Sequence, residues 1–142
     1  MRIFLSGIIQ GSHAGTQLHD QAYRDELKRL LRELLPEADV VCPIDLHPNG
    51  IAYDLDEARV AFFSLVEEAA AADLVVAYLP EASMGTAIEM WQAYHVGKPV
   101  VTITPLRHNW VVNLLSKRVF SSLDEFAAFL RQGGLRRVMS NE

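Results

Sequence analysis

Between residues 72 and 104 the sequence reads as a strand, a tight polar turn, a helix and a second strand. Residues 74–79 (LVVAYL) are valine-rich and almost wholly apolar, as a strand covered on both faces must be. Pro80 closes that run. Ser83 stands where a helix N-cap accepts from the first free amides, and Gly85 lets the backbone approach a ligand at the helix start. The helix stops at Gly97-Lys98-Pro99, and residues 100–104 (VVTIT) form the next strand. Exposed amides at the head of such a helix suit an anionic or hydroxyl-rich ligand. Glu89, six positions after Ser83, falls near the carboxyl end of the preceding strand, where open α/β sheets bind their ligands. A carboxylate there either complements the positive helix terminus or carries chemistry.

The rest of the chain repeats this alternation. Residues 3–5 read as a first buried strand running into a glycine-bearing loop, Gly7-Ile-Ile9-Gln10-Gly11-Ser12. Its spacing is neither the dinucleotide fingerprint nor the P-loop, although such loops commonly cradle phosphate. Asp20 is a candidate cap for a helix with Leu27, Leu30, Leu31 and Leu34 at i, i+3, i+4 and i+7, ending at Pro36. Arg24, Lys28 and Arg32 read as its solvated face. Residues 39–42 form a second short strand, followed by a turn-rich loop in which Asp45 and His47 are candidates to face the same crevice as Glu89. Residues 56–72 read as a helix with Val60, Phe63, Val66 and Ala70 on one face. After residue 104 come a short apolar helix, an edge strand at residues 118–120, and a last helix opened by the capping box Ser122-Leu-Asp-Glu125.

Alternation of this kind specifies an α/β fold: one doubly wound, five-stranded parallel sheet with helices on both faces, flavodoxin-like, in strand order 2-1-3-4-5. Residues 1–134 are expected to form this single domain and residues 135–142 a flexible C-terminal tail. A length of 142 residues with half of them apolar suits one domain with a proper core. A net charge of −5 argues against a nucleic-acid polymer as partner, though a single nucleotide needs only local donors. Cys42 is the sole cysteine, so no intramolecular disulfide or cysteine-built zinc set is expected, which fits a reducing cytoplasm. No apolar run is long enough for a membrane span, and neither a metal nor an organic cofactor is implied. Nor is there a Gly-x-Ser-x-Gly elbow or a zinc-spaced histidine pair.

What remains is a carboxylate at a strand–helix junction, the hydroxyls of Ser83 and Thr86, and the loop after the first strand. Ala72-Asp73, Ser83-Met-Gly85-Thr-Ala-Ile-Glu89 and Gly97-Lys98-Pro99 together resemble the nucleoside 2-deoxyribosyltransferase superfamily, which includes the nucleotide N-glycosidases. The resemblance implies that Glu89 is a nucleophile attacking C1′ of a nucleoside or nucleoside 5′-monophosphate. An anion there stabilises and captures an oxocarbenium-like transition state. It also implies that Gly7, Ile9, Gly11, Ser12, Ser83 and Gly85 hold the sugar or its phosphate; Asp45 and His47 are candidates to line the crevice by their place in the loop after the second strand. Asn113 falls where members place a polar residue reaching a neighbouring subunit's site, so a homodimer or higher oligomer is expected.

Three positions depart from the pattern. Leu65 stands where active members carry an aspartate that assists the leaving base, Phe4 where some carry a tyrosine, and Gln10 where an arginine often contacts phosphate. Asp45, His47, Asp54 and Asp56 are the alternative acids. Gly85-Thr86 and Glu89 are also similar to the phosphoribohydrolases of the lysine-decarboxylase-like group, without their Pro-Gly-Gly. The substitutions leave open a catalytically inactive nucleotide- or sugar-phosphate-binding module. A partner-binding protein presenting Trp91 and Trp110 is the third reading.

Overall fold

The computed structural model describes residues 1–11, 13–14 and 17–140. Five parallel strands lie in the order 2-1-3-4-5: β1 (Arg2–Gly7), β2 (Asp39–Val41), β3 (Leu74–Tyr78), β4 (Val100–Ile103) and β5 (Arg118–Phe120). The expected α/β, flavodoxin-like architecture is therefore the observed one. Order reverses between β1 and β3, the switch point of the sheet. These two strands pair from Ile3↔Leu74 to Gly7↔Tyr78, whereas β2 pairs with β1 only from Arg2↔Asp39 to Phe4↔Val41. Beyond Phe4, the β2 side of β1 has no ladder partner.

The strand side chains divide two cores by their period of two. Ile3, Leu5, Leu74 and Val76 pack with α1 (Ala22–Leu34) and α6 (Leu123–Arg131) on one face. Phe4, Val75 and Ala77 face the opposite way, with Ala69 of α3 (Leu55–Ala71) and Met90 and Ala93 of α4 (Met84–His95). Asp73 ties β1 to β3 at their amino ends: its Oδ2 accepts from the Arg2 amide at 2.7 Å, and its own amide donates to Arg2 O at 2.8 Å. Gly97 ends α4 at φ +81°, donating to Tyr94 O at 3.0 Å while Lys98 N donates to Ala93 O at 2.9 Å. That pair of bonds is the Schellman termination, and it explains the glycine of Gly97-Lys98-Pro99.

Four expectations need correction. The loop after β2 begins with a short helix, α2 (Pro43–Leu46), because Pro43 sits at its first turn, where a missing N–H costs nothing. Helix α3 starts at Leu55, one residue earlier than expected, because Asp54 and Glu57 form a capping box. It buries Ala61 and Ala69 and leaves Val60 and Phe63 exposed, with Val66 and Ala70 half-buried, so the first half of the apolar face read from the sequence lies outward. Residues 134–139 are not a tail: they form α7 (Gly134–Met139), with Leu135 and Val138 in the same core as Leu27 and Phe126. Gly134 is required there, since a Cβ would collide with the ring of Phe129.

The position of α7 is testable. Leu135→Ala removes a fully buried side chain and is expected to cost about 2–5 kcal/mol, read as a lower urea midpoint at unchanged m. An unchanged midpoint would restore the tail.

Candidate active site

Glu89 lies on the second turn of α4 with its side chain against the switch point, and only 8% of the residue is exposed. Ser83 caps this helix, its Oγ accepting from Thr86 N at 3.3 Å and meeting Thr86 Oγ1 at 2.9 Å. The cap orients the first turn, so α4 runs back along the sheet with Thr86, Glu89, Met90 and Ala93 inward. Ser6, near the carboxyl end of β1, donates its hydroxyl to Glu89 Oε1 at 2.9 Å across the strand–helix gap. Burial pushes the Glu89 carboxyl up to about 8, although the Ser6 hydrogen bond and the positive charge of Arg24 both pull it down. The result is a carboxyl group poised near neutrality, in the place where a sheet of this kind takes its ligand.

The described residues of the loop after β1 are held by contacts at Gly7, Ile9 and Gly11. A Cβ on Gly7 would collide with the Tyr23 ring, whose hydroxyl donates to Ile8 O at 3.1 Å. Ile9 O accepts from His19 N at 2.7 Å. Gly11 turns at φ +57°, and a Cβ there would come within 2.8 Å of His19 Nε2, Ile8 Cδ1 and Glu81 Oε1. His19 Nε2 lies 2.7 Å from Glu81 Oε1, joining this loop to the one between β3 and α4. Ser12 lies outside the described residues. Over Gly85 the space is open: a Cβ there would meet no atom within 4 Å.

The other expected site residues are engaged elsewhere. Asp45 takes both its oxygens to Lys28 Nζ at 3.1 Å and lines a groove of about 400 Å³ with Asp20, Gln21, Arg24 and Cys42, a lining that does not include Glu89. His47 Nδ1 sits 3.0 Å from the Tyr53 hydroxyl. Asn113, on α5 (Trp110–Leu115), is exposed and donates to Arg107 O at 2.8 Å. Asp54 is committed to its cap. Leu65 is partly buried and packs on the Phe4–Met90 core, so no acid occupies its place. Among the described residues no group of three acidic, histidine or cysteine side chains is set to hold a metal ion, and no helix is long and apolar enough to cross a membrane.

Two residues of the site were not anticipated. Ser6 is one. The other is Arg24, read as solvated but only 2% exposed; its guanidinium donates to Leu5 O, Gly7 O, Cys42 Sγ and Gln21 Oε1.

The fold and the buried junction carboxyl define a flavodoxin-like α/β protein with its candidate chemistry at the β1/β3 switch point. Three solved structures share this fold. The 2-deoxyribosyltransferase of the psychrotolerant bacterium Bacillus psychrosaccharolyticus has a TM-score of 0.67 and 18% identity, over 92% of this chain and 96% of that one. A conserved protein of Enterococcus faecalis V583 has a TM-score of 0.62 and 24% identity, over 94% and 98%. The CMP N-glycosidase of Clostridium botulinum has a TM-score of 0.53 and 19% identity, over 93% and 99%. Two of the three therefore carry names from the superfamily that the sequence motifs resemble. No family model matches the sequence, and no curated protein matches it either.

A carboxyl raised from 4.5 to about 8 makes the folded state hold a proton that the unfolded chain releases. Its contribution to stability is full below pH 4.5 and is lost as pH rises through about 8. Wild type is expected to lose up to about 1.4 kcal/mol per pH unit across that window relative to Glu89→Gln. Urea unfolding of both proteins from pH 5 to 9 measures it, and parallel curves would refute the buried-acid geometry.

Proposed function

We propose that this protein cleaves or transfers the N-glycosidic bond of a nucleoside or nucleoside 5′-monophosphate, with Glu89 as nucleophile. The observation that carries this reading is the buried Glu89 carboxyl, held by the Ser6 hydroxyl at the switch point of the sheet. A fold shared with a 2-deoxyribosyltransferase and a CMP N-glycosidase supports the same bond as target. In the reaction a Glu89 oxygen bonds to C1′ while the C1′–N bond breaks, and that bond's electron pair leaves on the base, which takes up a proton. Water then opens the glycosyl ester, or the nitrogen of a second base does. An anion fixed in a water-poor site stabilises the positive charge that grows on the sugar. Open space over Gly85 and the capped head of α4 leave room for the sugar or its phosphate. Hydrolysis is favoured over transfer, because no extra loop for a second base is evident among the described residues.

One observation favours a second reading. Leu65 packs in the core where the pattern carries an acid, and this fits a module that binds a nucleotide without turnover.

A homodimer belongs to the leading reading. Phe63 of α3, Ile88, Trp91 and Tyr94 of α4, and Trp110 and Leu114 of α5 are all exposed; Trp110 is 81% so. Surface aromatics in such number mark an association face. Asn113, between Trp110 and Leu114 in the sequence, lies on the helix that a partner would cover. A cytoplasmic location goes with the buried free thiol of Cys42.

Chromatographic assay of free-base release from a panel of nucleosides and their 5′-monophosphates tests the chemistry. Wild type is expected to release base at a rate rising with pH up to about 8, as the attacking carboxylate forms. Glu89→Gln is expected to release none, and Ser6→Ala to lower kcat by about 10- to 100-fold. Nucleotide binding without base release, with or without an acceptor base, would establish the second reading instead. In a sizing experiment wild type is expected as a dimer or larger and Trp110→Glu as a monomer. A monomeric wild type at micromolar concentration would remove Asn113 from any neighbour's site.

A further inference from the structure

Where β2 ends, β1 is left with an open edge. Its odd-numbered residues point their backbone groups toward β2, as the bond from Asp39 N to Met1 O shows, and the even-numbered ones toward β3. Register with β2 stops at Phe4↔Val41, so the carbonyls of Leu5 and Gly7 reach past the last residue of that strand. Buried carbonyls of this kind need donors. Arg24 supplies them: Nη1 donates to Leu5 O at 3.2 Å and Nη2 to Gly7 O at 3.0 Å. One planar guanidinium thus replaces the missing piece of strand. Its Nε donates to Gln21 Oε1 at 2.8 Å, and Gln21 in turn donates to Ile8 O at 3.1 Å.

The two carbonyls held in this way flank Ser6, whose hydroxyl donates to Glu89. We propose that Arg24 is a positioning residue for the Glu89 site, fixing the Leu5–Ser6 and Gly7–Ile8 peptide groups that bracket Ser6 and providing the buried positive charge that an ionised Glu89 requires. Every hydrogen bond of its guanidinium goes to a neutral acceptor. Burying a cation without a carboxylate partner is costly, and satisfying the two carbonyls requires only N–H donors, not a net charge. The acceptors instead leave its charge to act on Glu89, whose carboxyl it pulls toward ionisation. Tyr23, also on α1, is an ionisable group that feels the charge of Glu89; burial pushes its hydroxyl well above the usual range, so it stays neutral. From β1 comes only the neutral hydroxyl of Ser6.

Two variants separate the halves of the proposal. Arg24→Met removes charge and fork together, while Arg24→Lys keeps the charge but cannot span both carbonyls. The Glu89 carboxyl is followed directly by NMR titration of carboxyl-labelled protein, assigned with Glu89→Gln, and base release gives kcat and KM. In Arg24→Met the Glu89 midpoint is expected to move to higher pH by about one unit. In Arg24→Lys the midpoint is expected to stay, with kcat lower by about 10- to 100-fold at unchanged KM. A Glu89 midpoint in folded Arg24→Met equal to that of wild type overturns the charge role. Wild-type kcat in Arg24→Lys overturns the fork, and this variant carries the test if Arg24→Met does not fold. The kinetic half rests on the reading of Glu89 as nucleophile; the titration does not. If wild type releases no base while the midpoint moves as expected, the glycosidase reading fails and the hold of Arg24 on Glu89 stands.

Discussion

The withdrawal of one carboxyl group from water is what the rest of this structure serves. Glu89 would ionise freely on the surface of α4; placed inward at the switch point, it keeps its proton to about pH 8. A buried acid in a helix is a cost to folding, and the surrounding architecture limits that cost. Ser6 donates to it from β1, Arg24 acts on it from α1, and the Ser83 cap sets the first turn of the helix that carries it. The remaining elements, two apolar cores on either side of the β1–β3 pair, hold these three directions fixed relative to one another.

The fold was legible because its signals are local and repeated. Valine-rich runs, caps at Ser83 and Ser122 and the Gly97 stop each dictate their own segment, and the alternation then leaves few topologies. Glu89 was legible from its spacing after Ser83. Ser6 was not, since one hydroxyl in an apolar strand beside a glycine looks like the start of a turn. Arg24 was missed for a more instructive reason. Its spacing to Leu27 and Leu31, three and seven residues on, places it squarely on the buried stripe of α1. Its charge argues for solvent and its periodicity for the core, and periodicity is the better guide, because the open edge of β1 has carbonyls to offer.

The opposite failure occurred on α3 and at the C-terminus. Val60 and Phe63 carry the helical period of a core face yet lie outward, because α3 meets the core beneath it through Ala69 and Leu65. Hydrophobic periodicity reports that a face is to be covered and says nothing of by what. At the C-terminus, Gly133-Gly134 and a short basic stretch look like a fraying end. Gly133 turns at φ +71°, and the chain folds back so that Leu135 and Val138 close the core.

Helix α4 has a buried carboxyl on one side and exposed aromatic surface on the other. Glu89 points in; Ile88 and Trp91, its neighbours within one turn, point out. Whatever covers the outer side and whatever occupies the inner side therefore act on the same few peptide units. Thermodynamic linkage runs both ways: if association of the outer face alters the affinity of the inner one for a proton or a ligand, that occupancy alters association by the same factor. A fold that places a buried carboxyl and an exposed aromatic surface on opposite sides of one short helix links whatever meets the one to whatever meets the other.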